Sequence, residues 1–260
     1  MSSTFHPPTQ ATPPPPAAPS GTPRPPLWRR PWVGPLMFVA LAFMALTVPR
    51  YLTFNPANTN VPAPDGFGAH FWLLTGHVVF GSIAMTTCCF QIWPAFRNRF
   101  PKAHRVMGRL YVFAGVLPAG VLGIIVGAVS PFGPVVRVAN VTLGVVWLIV
   151  TVVGIRMAIQ RRHGEHRRWM IRSFALTFAI VATRIWSIVF AVAFFADQLT
   201  EEAGPLDPTV QTFTGMGVWV AMIVNILAAE WWLDRPTASQ RRARKARRAR
   251  RHQSQDQGMA

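Results

Sequence analysis

The chain has 260 residues, of which 51% are hydrophobic and only 13% charged, yet its formal charge is +17. No soluble domain of this size needs that mixture, so a membrane or a nucleic acid must account for it. The basic residues are not interleaved with aromatics in a nucleic-acid motif. They alternate instead with apolar runs of about 20 residues, the length that crosses a ~30 Å hydrocarbon core, so the bilayer is the expected partner and nucleic acid is not.

In chain order, residues 1–32 are expected to be a disordered, Pro-rich cytoplasmic tail, since half of the 24 prolines fall in the first 35 positions. Residues 33–233 form the membrane domain, with apolar runs at about 33–49, 70–93, 110–130, 138–158, 169–196 and 213–233. The first run lacks a convincing cleavage site and is read as a retained helix. Residues 234–260 are a basic cytoplasmic tail, and RRARKARRARR at 241–251 suits a topology anchor or anionic lipid headgroups. The fold expected is all-α: a polytopic six-helix transmembrane bundle.

Charge orients the runs. Three Lys or Arg precede the first run, five lie in 97–109, six in 156–172 and nine in 235–251, against single arginines at 50 and 137 on the other side. The opposite loop 197–212 carries Asp197, Glu201, Glu202 and Asp207. Both termini are therefore expected in the cytoplasm. Cys88 and Cys89 are neighbours in the second run and read as buried small hydrophobes. His163, Glu165 and His166 are too exposed and too few for a metal site, and no metal site is expected.

HRVMGRLYVFA at 104–114 opens the third run much as HRRWMIRSFA at 166–175 opens the fifth, with one residue inserted. Each follows a basic loop. The pattern predicts a four-helix core made of two repeated hairpins, helices 2–3 and 4–5, flanked by helices 1 and 6.

Across residues 70–233, GHVVFGSIAM, Gln91, HRVMGRLY, HRRWMIRSFALTFAIVATR and NILAAEWW together resemble a family of bacterial predicted multi-pass membrane proteins catalogued as a domain of unknown function. The resemblance implies an inner-membrane protein and supplies no activity. A looser similarity, histidines on a four-helix core, is to b-type membrane cytochromes.

A haem b would need facing imidazoles, small residues and cations for its propionates. His104 and His166 occupy equivalent positions, with Arg105, Arg109, Arg167 and Arg172 beside them, and they read either as ligands or as interfacial residues at the positive end. His77 lies about 10 Å inside the second helix. His70 is two turns higher on the same face and the fourth helix has no histidine, so His77 reads equally as a ligand or a packed core histidine. Arg184 sits about 24 Å from Arg168 along a straight fifth helix. It either snorkels or pairs with Asp197, or it forms with His77 and Asn225 an outer site. Glu230 is expected to pair with the inner arginines, while Gly115, Gly123 and Gly127 read as packing positions and Pro118 as a kink.

Two functions compete. One is a membrane redox component binding haem b or quinone. The other is a small transporter or lipid- or anion-binding membrane protein.

Overall fold

The computed structural model describes residues 32–59, 61–198, 204 and 206–235. The Pro-rich segment before Trp32, the acids Glu201 and Glu202, and the basic stretch 241–251 lie outside the described residues. Among the described residues all regular structure is helical.

The helices are α1 (Val33–Thr47), α2 (Pro49–Leu52), α3 (His70–Ile92), α4 (Pro94–Arg99), α5 (Pro101–Arg109), α6 (Leu117–Ala128), α7 (Gly133–Ile159), α8 (His163–Thr177), α9 (Ala179–Phe194) and α10 (Pro208–Asp234). A π-helical turn, Leu110–Val116, joins α5 to α6 in one continuous rod. Five helical runs are long and apolar enough to cross a membrane, and a sixth is added if the bent pair α8–α9 is one span. The protein is an all-helical, multi-pass membrane protein. Several helices begin well before the apolar runs do, at Pro101, Gly133, His163 and Pro208. Hydropathy registers only the apolar turns, whereas proline in the first turn starts the helix on polar residues and removes an N–H that would have no partner there.

Two irregularities shape the bundle. The third span holds one residue more between its His-Arg and its Phe-Ala than the fifth does, and the π turn lies in that interval. Such a turn is how a helix absorbs an extra residue without losing its neighbours. The fifth span is not straight, as the sequence reading assumed, but bends by 43° at Phe178. No proline or glycine stands there. The Thr177 hydroxyl instead donates to the Ser173 carbonyl at 2.9 Å, a back-bond that draws the carbonyl outward and bends helices.

Packing follows small residues. α3 lies along α5, the π turn and α6, α7 packs against α6 and α8, and α10 against α7, α8 and α9, with α1 resting on α3. A Cβ placed on Gly115 would lie 2.9 Å from Cα of Ala84, and one on Gly154 2.8 Å from Sδ of Met170. Backbones approach this closely because apolar residues have no hydrophobic reason to leave lipid, so contact and hydrogen bonding must hold the helices together. The shared core includes Ala84, Met85, Tyr111, Val116, Trp147, Val150 and Leu176. Cys88 and Cys89 are free and buried in it, their thiols donating to the Met85 carbonyl at 3.1 and 3.3 Å.

Candidate functional site

At the basic end, where α8 begins and α10 finishes, three arginines have carboxylate partners while the other Lys and Arg side chains described there are exposed. Arg172 donates to both carboxylate oxygens of Glu230, from Nε at 2.5 Å and from Nη2 at 3.0 Å. Its guanidinium also lies 4.7 Å from the centre of the Trp169 ring. Arg168 approaches Asp234 at 3.7 Å, and Arg235 lies 3.5 Å over Trp231. Aromatic and basic residues mixed in this way mark the membrane–water boundary.

The histidines expected at this end are there. His166 holds its Nδ1 2.8 Å from the Gly154 carbonyl of α7, and His104 lies near enough to interact with it electrostatically. Gln91 donates to the His104 carbonyl at 2.9 Å, and Gly108 leaves room for that side chain. His104 Nδ1 is buried with no hydrogen-bond partner among the described residues. Arg105, Arg109 and Arg167 are exposed, and Arg172 is engaged by Glu230. Of these four arginines only Arg172 has a carboxylate partner among the described residues.

Deeper in the bundle lies a cluster that the sequence reading missed. Tyr111, on the π turn, bonds Ser173 at 2.6 Å and Thr177 at 2.8 Å. Ser173 bonds Thr151 at 2.6 Å, Thr151 donates to the Trp147 carbonyl at 2.8 Å, and the Trp147 indole N–H donates to Thr177 at 3.1 Å. Every hydroxyl has a partner, and three spans are tied together in a medium with no water to compete. One signal was available in the sequence: Tyr111 and Ser173 stand seven residues after their respective histidines.

Beyond this cluster, toward the end where α3 and α10 begin, the bundle opens into a cavity of about 280 Å³. Trp147, Leu176 and Thr177 are among its walls, so the hydroxyl cluster borders it. Gly81, Gly120, Gly123, Gly127 and Gly144 also line it; only at Gly81 is the place of the missing side chain open, whereas at the other four a neighbouring side chain fills it. Its polar lining includes His70, His77, Asn140, Thr183 and Arg184.

His77 is held with Nδ1 2.8 Å from the Ala119 carbonyl. A carbonyl only accepts, so Nδ1 carries the proton and Nε2 of the neutral ring is an acceptor. The ring fits because a Cβ on Gly123 would lie 2.7 Å from its Cε1. Gly123 is thus the seat of His77 rather than a helix-packing glycine alone.

Arg184 and Ile180, both on α9, are the only exposed side chains in the cavity lining. In a membrane they stand where the cavity meets lipid. Arg184 makes no ion pair among the described residues, Asp197 included. Asp197 lies beyond the end of α9, some 20 Å further along the chain's helical rise.

His77 and Arg184 both line this cavity, but Asn225, grouped with them in one of the two sequence readings, is not among its walls. The Asn225 amide donates to the Ala175 carbonyl at 2.9 Å, just before the bend. Counting residues gave its depth but not the side of α10 it occupies. Its group braces the bent span, where a carbonyl would otherwise lack a donor. Among the described residues no group of three or more His, Cys, Asp or Glu could hold a metal ion.

This architecture defines a multi-pass helical membrane protein with an intramembrane cavity. A family profile described as "Predicted membrane protein (DUF2306)" matches residues 74–233, and the chain belongs to that family. Neither the curated proteins nor the solved structures give a match.

Proposed function

We propose that the chain is a membrane redox component that takes a quinone head group in the cavity between His77 and Arg184. The observation that carries this reading is the pairing of a lone-pair acceptor with a lipid-facing cation in one hollow. His77 Nε2 can accept from a quinol hydroxyl, Arg184 can donate to a quinone oxygen, and the mouth at Ile180 and Arg184 suits a ligand that arrives through the bilayer. The basic end faces the cytoplasm of a bacterial inner membrane with both termini inside, in keeping with the bias of Lys and Arg. The segment 241–251 binds anionic headgroups there.

A second reading has its own support. Among the described residues Arg184 is the only charged one in the cavity walls, so an anion or an anionic lipid headgroup satisfies it equally well. Haem b is the weaker redox choice. His77 has the backbone-held Nδ1 usual in metal-ligating histidines, but the other imidazole in the walls, His70, is on the same helix. His104 and His166 belong to the other end.

The test is a pair of measurements on detergent-purified protein: an organic extract analysed for quinone, and the visible spectrum air-oxidised and then dithionite-reduced. A stoichiometric quinone without haem bands supports the first reading. Reduced α and Soret bands would replace quinone with haem, and co-purified anionic lipid with neither would favour the second.

A further inference from the structure

Two hollows meet at two side chains. A cleft of about 470 Å³ at the far end is lined by Pro56, Thr59, Phe71 and Leu206, and His70 and Val61 belong both to this cleft and to the cavity that contains His77. His70 is 1% exposed, and its Nε2 has no hydrogen-bond partner among the described residues. An enclosed imidazole nitrogen left unpaired is destabilising. Water is the smallest group that satisfies it, and both hollows have room for water.

Helix geometry places His70 two turns from His77, about 10 Å along α3, which a short file of waters can bridge. The two ends of that file differ. His77 offers a lone pair at Nε2 because its Nδ1 proton is held by Ala119. His70 can take a proton on one ring nitrogen and release one from the other, so the number of protons in the cavity and the cleft balances without a net change on the ring. Among the described residues no other titratable side chain lines the cleft.

We propose that His70 is the neck of a water-filled proton route between the far-end surface and His77. The proposal rests on the cavity being the working site, since a proton route needs an acceptor at its end. It gives the cavity two mouths with different traffic: lipid-borne ligand past Arg184 and protons past His70. A quinone site needs both, because the head group stays in the membrane while its protons exchange with water.

The test is deuterium uptake at Cε1 of His77, a reaction that requires water at the ring, followed by mass spectrometry on the full chain in detergent with no ligand added. Wild type should exchange. His70→Phe should slow His77 severalfold by plugging the neck, and His70→Ala should leave the rate unchanged or raise it. Val61→Trp, which narrows the neck from the facing wall, should slow it without touching His70. A merely structural His70 would move Phe and Ala in the same direction. Equal rates in all four proteins, a parallel change in Phe and Ala, or no exchange in wild type would overturn the route. Because no ligand enters the measurement, an absent quinone would leave this result readable.

Discussion

The two halves of the bundle treat polar groups in opposite ways. In the basic half, Arg172 has Glu230, Arg168 has Asp234, and Tyr111, Ser173, Thr151, Thr177 and Trp147 satisfy one another. In the far half, Arg184 has no ion pair among the described residues, and His70 Nε2, Thr75 Oγ1 and Ser187 Oγ are buried without partners. In the basic half His104 Nδ1 is the one buried side-chain atom without a partner among the described residues, and the arginines without an ion pair there, such as Arg105, Arg109 and Arg167, are exposed at the charged end. A lipid-embedded polar group that finds a partner inside the protein holds spans together, whereas one without a partner is open to a ligand, an ion or water. The basic half therefore reads as scaffold and the far half as site.

Substitutions can break that contrast. The largest effect is expected at Gly115→Leu, since even a Cβ there would lie 2.9 Å from the Ala84 backbone. Overpacking of this kind costs about 3 kcal/mol or more, and the variant should lose the monodisperse peak in size-exclusion chromatography. Glu230→Ala comes next. It removes both acceptors of Arg172 and should destabilise by about 2 kcal/mol, read as a lowered melting temperature, with Glu230→Asp recovering part of it. Tyr111→Phe should cost about 1 kcal/mol, because Ser173 and Thr177 keep other hydroxyl or carbonyl partners. Smallest is Arg184→Leu, which, compared with wild type after both have been stripped of bound ligand, should leave the melting temperature unchanged or raise it, since no internal ion pair is lost and a lipid-facing charge is removed. A sharp loss of stability in Arg184→Leu would move this arginine from site to scaffold.

Much of the architecture could be read in the sequence because its cause is one-dimensional: a helix must carry about 20 apolar residues to cross the bilayer, and each expected run overlies an observed helix or set of joined helices, three of them overrunning its C-terminal end by a residue or two. His77 and Arg184 were legible for a related reason, as polar groups in apolar runs. Azimuth was not. Asn225 lies at a suitable depth yet faces the Ala175 carbonyl, and only packing decides that. The bend at Phe178 was hidden because serine and threonine back-bonds cause it rather than proline. The Tyr111 cluster was hidden because its members come from three spans, each unremarkable alone. His70 was dismissed as too distant from His77 to share one metal ion, a correct geometric point that left its place between two hollows unseen.

The central claim is that the cavity between His77 and Arg184 is a binding site and the basic half is not. The most direct test is the quinone content per protein of wild type, His77→Ala, Arg184→Leu and Tyr111→Phe, purified in one detergent, with melting temperature as the control. The account predicts one quinone per chain in wild type, loss in His77→Ala and Arg184→Leu at little cost in stability, and retention in Tyr111→Phe despite its lower melting temperature. Wild type without quinone, or His77→Ala and Arg184→Leu that keep it, would contradict the account.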